Sequence, residues 1–220
     1  LKTASVSFIN NVMPTTESPA VKMAIYWFDG ENKLHLLNAL TSSKDQLVSA
    51  INGITDTISK DPSTDLYGAV IKATDIAEKL INETKNRDLI SAASVVIFTD
   101  GTDQASRFTE KAALDKVKNA NLNISFFSIG LGGEINTDVL KSIGKTASVF
   151  AGNKAELETT FNNISQLVSQ RANSFYLFEY CSPKRDGSGD NNLVIEVNAN
   201  GKKGAVQTKF SANGFTGGCE

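Results

Sequence analysis

The chain has 220 residues, with 22 Lys and Arg against 24 Asp and Glu and a formal net charge of −2. Apolar residues make up 40% and charged residues 21%, enough for a buried core and without the basic face of a nucleic-acid binder. No apolar run reaches the roughly 18 residues of a membrane-spanning helix, so no membrane insertion by this segment is expected.

The first stretch, LKTASVSFINNVMP, sets Leu1, Ala4, Val6, Phe8, Ile9 and Val12 at helical spacing until Pro14 stops the pattern. Domains rarely start inside an element, so further residues are expected upstream of Leu1. Residues 21–28 are a near-continuous apolar run, Asp29-Gly30-Glu31-Asn32 a turn and residues 33–37 a returning strand, together a β-hairpin. Leu47, Ile51, Ile54 and Ile58 recur at helical spacing, and a longer helix is predicted over 65–83. The apolar run Val95-Val96-Ile97-Phe98 predicts a buried strand that ends in Thr99-Asp100-Gly101-Thr102-Asp103. A helix over 109–119, the strand NISFFSIGLG, a helix over 137–143, the short strand ASVFAG and a helix over 155–172 complete the alternation.

Apolar strands alternating with amphipathic helices predict an α/β fold, a doubly wound, mostly parallel sheet with one antiparallel edge strand from the hairpin. From residue 174 the helices cease: SFYLFEYCS, NLVIEVNAN and AVQTKFSANGF read as strands. The expected division is therefore 1–173 and a small antiparallel β appendage over 174–220. The two cysteines, Cys181 and Cys219, both fall in the appendage, without neighbouring Cys or His for a zinc site. They are either reduced thiols or one disulfide closing a loop of about 40 residues, worth about 4 kcal/mol in the chain-entropy model. The disulfide is the reading adopted, and it points to periplasm, cell surface or exterior.

Ligands of open α/β sheets bind outside the carboxyl ends of the strands, where Asp100 falls. Ser63, Thr64 and Asp65 open the long helix at the same edge if the next strand is parallel. A hydroxyl and a carboxylate from two loops, supplemented by water, suit a hard divalent cation. Thr64 or Ser63 also reads as a plain helix N-cap, and TDG on its own as a common turn. Asp103 either shapes the rim of that site or faces water. His35, the sole histidine, reads as a solvated strand residue, and Tyr26 and Trp27 as packing residues. DGSGD, Asp186 to Asp190, reads as a hairpin turn, with loose calcium binding as its alternative.

Over residues 1–172 the chain resembles a von Willebrand factor A domain, in the hairpin VKMAIYWFDGENKLHLL, the helix start STDLYGAV and the strand end VVIFTDGTD. The resemblance implies a metal-ion-dependent adhesion site to which Thr64 and Asp100 contribute, holding Mg2+ (or Mn2+ or Ca2+) with a position open to a partner protein's carboxylate. It implies a protein-binding, adhesive or scaffold role in the cell envelope. The tail resembles the region after such domains in bacterial envelope proteins. The family's Asp-x-Ser-x-Ser motif, which follows the central strand, is not in this sequence, so the domain is expected to be truncated at its N-terminus and its metal site incomplete. If Leu1 is the true start, a gap is expected in the sheet, with strand exchange or poor solubility. Two other readings are a metal-free envelope scaffold and a metal-assisted hydrolase. The sequence lacks a Gly-x-Ser-x-Gly elbow, a phosphate loop, a recognisable His/Asp/Glu metal cluster and a Cys-His arrangement, and no enzyme is expected.

Overall fold

The first helix, α1 (Lys2–Val12), ends at Met13, whose backbone is extended (φ −78°, ψ 136°), as the ring of Pro14 demands of the residue before it. The computed structural model describes residues 1–86, 91–172, 181 and 189–214. Strands β1 (Met23–Trp27) and β2 (His35–Thr41) pair antiparallel, with Tyr26 opposite Leu36 and Trp27 opposite His35. Helix α2 (Lys44–Asn52) starts where Ser43 Oγ accepts the Gln46 N–H and stops at Gly53. That is shorter than the spacing of isoleucines suggested. Ile58 N–H bonds instead to the Thr55 carbonyl in a separate turn, and Ile54 packs beside Ile51 without being helical.

The remainder of this unit follows the predicted alternation: α3 (Leu66–Lys85), β3 (Ala93–Thr99), α4 (Glu110–Asn119), β4 (Ile124–Leu131), α5 (Thr137–Ile143), β5 (Ala147–Ala151) and α6 (Leu157–Ala172). Thr109 and Asn136 cap α4 and α5 through their side-chain oxygens. Strands β3, β4 and β5 form a parallel sheet in that order, in register from Ala93 opposite Ile124 to Thr99 opposite Gly130. The chain is therefore α/β, as expected.

Strand β4 is buried along nearly its whole length, and the period of two divides its side chains between two cores. Ile124 and Phe126 join Val70, Ile81, Val117 and Leu140 from α3, α4 and α5. Phe127 and Ile129 join Phe161, Ile164 and Val168 of α6, with Ala4 of α1. Helix α1 also sends Ile9 into a third core under the hairpin, beside Leu47 and Ile51. One helix thus covers parts of both sheets. Strand β1 pairs only with β2, and β3 only with β4. Each keeps one edge without a strand neighbour among the described residues.

The chain divides into two compact units, Leu1–Phe175 and Tyr176–Glu220. In the second, β6 (Asp190–Ala199) and β7 (Lys202–Ser211) form a hairpin in unbroken register. Its turn has positive φ at both Asn200 (50°) and Gly201 (75°), the type I′ geometry that Asn-Gly favours because it matches strand twist. Asp190 opens β6; Asp186, Ser188, Cys219 and most of SFYLFEYCS lie outside the described residues, so the hairpin-turn reading of DGSGD and the cysteine pair fall there too. Among the described residues no helix is long and apolar enough to cross a membrane.

Candidate functional site

The carboxyl end of β3 meets the start of α3. Asp65 is the N-cap of α3: its Oδ1 accepts the Gly68 N–H at 3.1 Å, and its Oδ2 lies 3.2 Å from Lys72 Nζ. Its own N–H donates to the Asp29 carbonyl at 2.8 Å. Gly68 is required here, since a Cβ at that position would run into the Asp65 carboxylate. The cap is therefore Asp65, and the reading of Ser63 or Thr64 as N-cap is corrected: the backbone enters the helix one residue later.

That shift leaves the Thr64 hydroxyl without a hydrogen-bond partner among the described residues. The Thr64 carbonyl accepts from Gln104 N–H at 2.9 Å and Ala105 N–H at 3.0 Å, which ties the helix start to the loop after β3. A Cβ placed on Gly101 would stand 3.9 Å from Thr64 Oγ1, ordinary contact distance. The structure thus sets the Thr64 hydroxyl against the turn that carries Asp100, whose side chain is exposed at the end of β3.

Asp103 does not simply face water. Its Oδ1 accepts the Tyr67 N–H and its Oδ2 the Ser106 N–H, both at 3.0 Å. Two carboxylates on different segments, Asp65 and Asp103, thereby satisfy two of the N–H groups that a helix start leaves unpaired. Both also face the positive end of the helix dipole. Ser106 has a φ of 52°, a left-handed conformation steadied by its bond to Asp103. Burial, then the charges of Glu110 and Asp103, push the Tyr67 phenol up, so it remains protonated and donates to Glu110 at 3.4 Å. Beside this rim is a hollow of about 150 Å³ lined by Tyr67, Thr102, Asn136 and Val139 among others. Asp103→Ala is expected to lower stability by about 1–2 kcal/mol through loss of two backbone acceptors. Asp103→Asn, which keeps an acceptor, should lose less, and thermal unfolding of both variants checks this.

The opposite margin is the hairpin turn. Arg107 Nε donates to the Gly30 carbonyl at 2.7 Å, and Ser59 Oγ to Asp29 Oδ2 at 2.9 Å. Asp29 is 4% exposed. Burial pushes its carboxyl up, but hydrogen bonds from the Glu31 backbone, Ser59 and the Asp61 and Lys60 backbones outweigh it and hold the carboxyl below its ordinary value. His35 is not the solvated strand residue expected. Its ring stacks on Trp27 at 3.9 Å and 8°, and its side chain is 14% exposed.

Sequence reasoning found Thr64 and Asp100 as a pair and offered Asp103 as a rim residue or one facing water, but missed Asp29 and the capping role of Asp65. The triplet Ser63-Thr64-Asp65 did signal a cap, with Ser63 or Thr64 as its candidates, and only backbone geometry moves the cap to Asp65. Nothing in the spacing marks Asp29, and proximity to Asp100 is the only signal for Asp103.

The sequence profile of the von Willebrand factor type A domain matches residues 3–170. No curated protein matches the sequence. Among solved structures, proximal thread matrix protein 1 from the mussel byssus, with a zinc-occupied MIDAS motif, is 14% identical with a TM-score of 0.55, covering 78% of this chain and 41% of its own. The chain thus spans about two fifths of that protein. Manganese-loaded Plasmodium vivax TRAP protein is 14% identical with a TM-score of 0.56, covering 96% of this chain and 85% of its own. The vWF domain of the type V pili tip protein Mfa5 from Porphyromonas gingivalis is 15% identical with a TM-score of 0.52, covering 81% and 90%. With the parallel sheet, the helix start at Asp65 and the strand end at Asp100 in family order, the chain belongs to the von Willebrand factor type A domain family.

Proposed function

We propose that the chain is a protein-binding module of the cell envelope, adhesive or scaffolding, in which Thr64 and Asp100 help hold a divalent cation. The observation that carries this is the Thr64 hydroxyl, left free because Asp65 takes over the cap and set against the turn that carries Asp100. A free hydroxyl and an exposed carboxylate suit Mg2+, Mn2+ or Ca2+, which take oxygen ligands; Mg2+ keeps several waters. Two donors fall short of the six or so that such an ion takes, and the rest would come from water and from the family's acidic motif upstream. Thr64 would ligate directly or through water, and Asp100 would anchor the ion through water. When bound, the cation supplies a positive charge able to take a carboxylate from a partner protein. Asp65, Asp103 and Arg107 keep the three segments of the rim in place and need not touch the ion.

Zinc and manganese in two structural neighbours, and the pilus-tip location of a third, support the metal and the extracytoplasmic setting. No catalysis is part of this proposal. A Cys181–Cys219 disulfide closing an appendage over 174–220 belongs to the same reading. The alternative is a metal-free envelope scaffold. Calorimetric titration of the full-length protein with Mg2+ or Mn2+ separates the two. Asp100→Ala is expected to weaken binding about 10–100-fold, the cost of losing a carboxylate that holds the ion through water. Equal affinity in wild type and variant rejects the assignment of Asp100.

A further inference from the structure

The hairpin turn holds a group of side chains that the Thr64 and Asp100 reading does not use. Asp29 follows β1, Glu31 lies in the turn and His35 opens β2. One potential ligand atom from each lies within 4.8 Å of the others. His35 Nε2 stands 3.4 Å from Asp29 Oδ1 and 3.5 Å from Glu31 Oε2. It is closed off from solvent and has no hydrogen-bond partner among the described residues. A ring nitrogen thus lies within ion-pair distance of two carboxylates and is hydrogen-bonded to neither.

The separations fit a metal better than a hydrogen bond. Tetrahedral zinc has Zn–N and Zn–O bonds of about 2.0–2.2 Å, which puts neighbouring ligand atoms about 3.3–3.6 Å apart. Both measured distances fall on that edge. The supporting contacts are those a metal site uses to fix its ligands. Asp29 Oδ1 accepts the Glu31 N–H at 3.0 Å, and its Oδ2 accepts from Ser59. Trp27 fixes the plane of the imidazole. Asp29 is a buried carboxylate, and buried charges are paired or bind metal. Glu31 is 45% exposed, free to swing in as the third ligand and leave a fourth position to water.

We propose that Asp29, Glu31 and His35 form a second metal site, of the zinc class. Its ligand chemistry sets it apart from Thr64 and Asp100: an imidazole nitrogen selects zinc, cobalt, nickel or copper, whereas an all-oxygen set suits magnesium. The ion would stiffen the turn that Asp65 N–H ties to the start of α3 and Arg107 to the loop after β3.

Trp27 is the only tryptophan in the chain and its ring lies against His35, so its fluorescence reports on the site. Co2+ added to the wild-type chain is expected to quench Trp27 saturably at one equivalent, to give the visible absorption of tetrahedral cobalt, and to be displaced by Zn2+. His35→Gln and Glu31→Gln should each weaken Co2+ binding tenfold or more, while Asp100→Ala leaves it unchanged. Glu31 is half-exposed, so its variant reads the site even if His35→Gln folds poorly. Quenching that is absent in wild type, or equal in wild type and Glu31→Gln, overturns the site. So does Co2+ binding that disappears with Asp100→Ala, which would assign the ion to the sheet edge.

Discussion

Phe126→Ala is expected to lower the unfolding free energy by about 3–5 kcal/mol, the range for removing a buried phenylalanine and leaving a cavity. Phe126 is fully buried on the middle strand of the parallel sheet, where it meets side chains of α3, α4 and α5. The strand cannot shift to fill the void, because its backbone is held on both sides by β3 and β5. A second loss comes from Lys145, whose ammonium lies 4.9 Å from the ring centroid while donating to the Val117 carbonyl at 2.6 Å. Burial already pushes the Lys145 ammonium down, and without the ring it faces an empty space. The melting temperature should fall by about 10 °C, whereas Val206→Ala on the exposed face of β7 should fall within about 0.5 kcal/mol of wild type. Denaturant titration read by Trp27 fluorescence gives the first number. A midpoint unchanged in Phe126→Ala would mean that β4 is not the centre of the fold.

Strand β4 was legible because ISFFSIGL is apolar on both faces, which a buried parallel strand requires, although its middle place in the sheet was not. Helices α3 to α6 were legible for the complementary reason, an apolar stripe bounded by capping residues such as Thr109 and Asn136. Helix α2 was overextended because Ile54 and Ile58 continue its spacing, although Gly53 follows the last helical residue and both isoleucines are packed or turned locally. Periodicity reports which residues seek a core and not which hydrogen bonds the backbone makes on the way. The site was half legible. Asp100 and Thr64 follow from strand direction and helix start, which are local. Asp103 bonding to the Tyr67 N–H and the Asp29 carbonyl accepting from Asp65 join segments 36 residues apart in each case, and no spacing rule reaches that far. His35 was misread for a similar reason: alternation in an edge strand predicts exposure, but Trp27 is directly opposite it and covers it.

Asp65→Ala is expected to lower stability by about 2–3 kcal/mol and to weaken any divalent cation held by Thr64. About 1 kcal/mol comes from the lost N-cap on Gly68. More comes from Lys72, left beside the vacated position without its carboxylate; this part is discounted because Lys72 is 26% exposed and can turn toward water. Lys72 also lies 4.9 Å from the Phe108 ring centroid, which gives it a second place to rest. Asp65→Asn separates the two contributions, since the amide oxygen can still accept the Gly68 N–H but carries no charge. It should lose about 1 kcal/mol, and Lys72→Met in the Asp65→Asn background should recover part of that loss. The effect on metal follows from where the helix begins. With Asp65 as cap, Thr64 is outside the helix and its hydroxyl is available; with alanine at 65, Ser63 or Thr64 becomes the best remaining cap, and a Thr64 hydroxyl turned onto the helix N–H groups no longer faces the Asp100 turn. Chemical denaturation measures the first effect and calorimetry with Mn2+ the second. A variant that loses stability yet binds Mn2+ like wild type would show that capping and cation binding do not compete for Thr64.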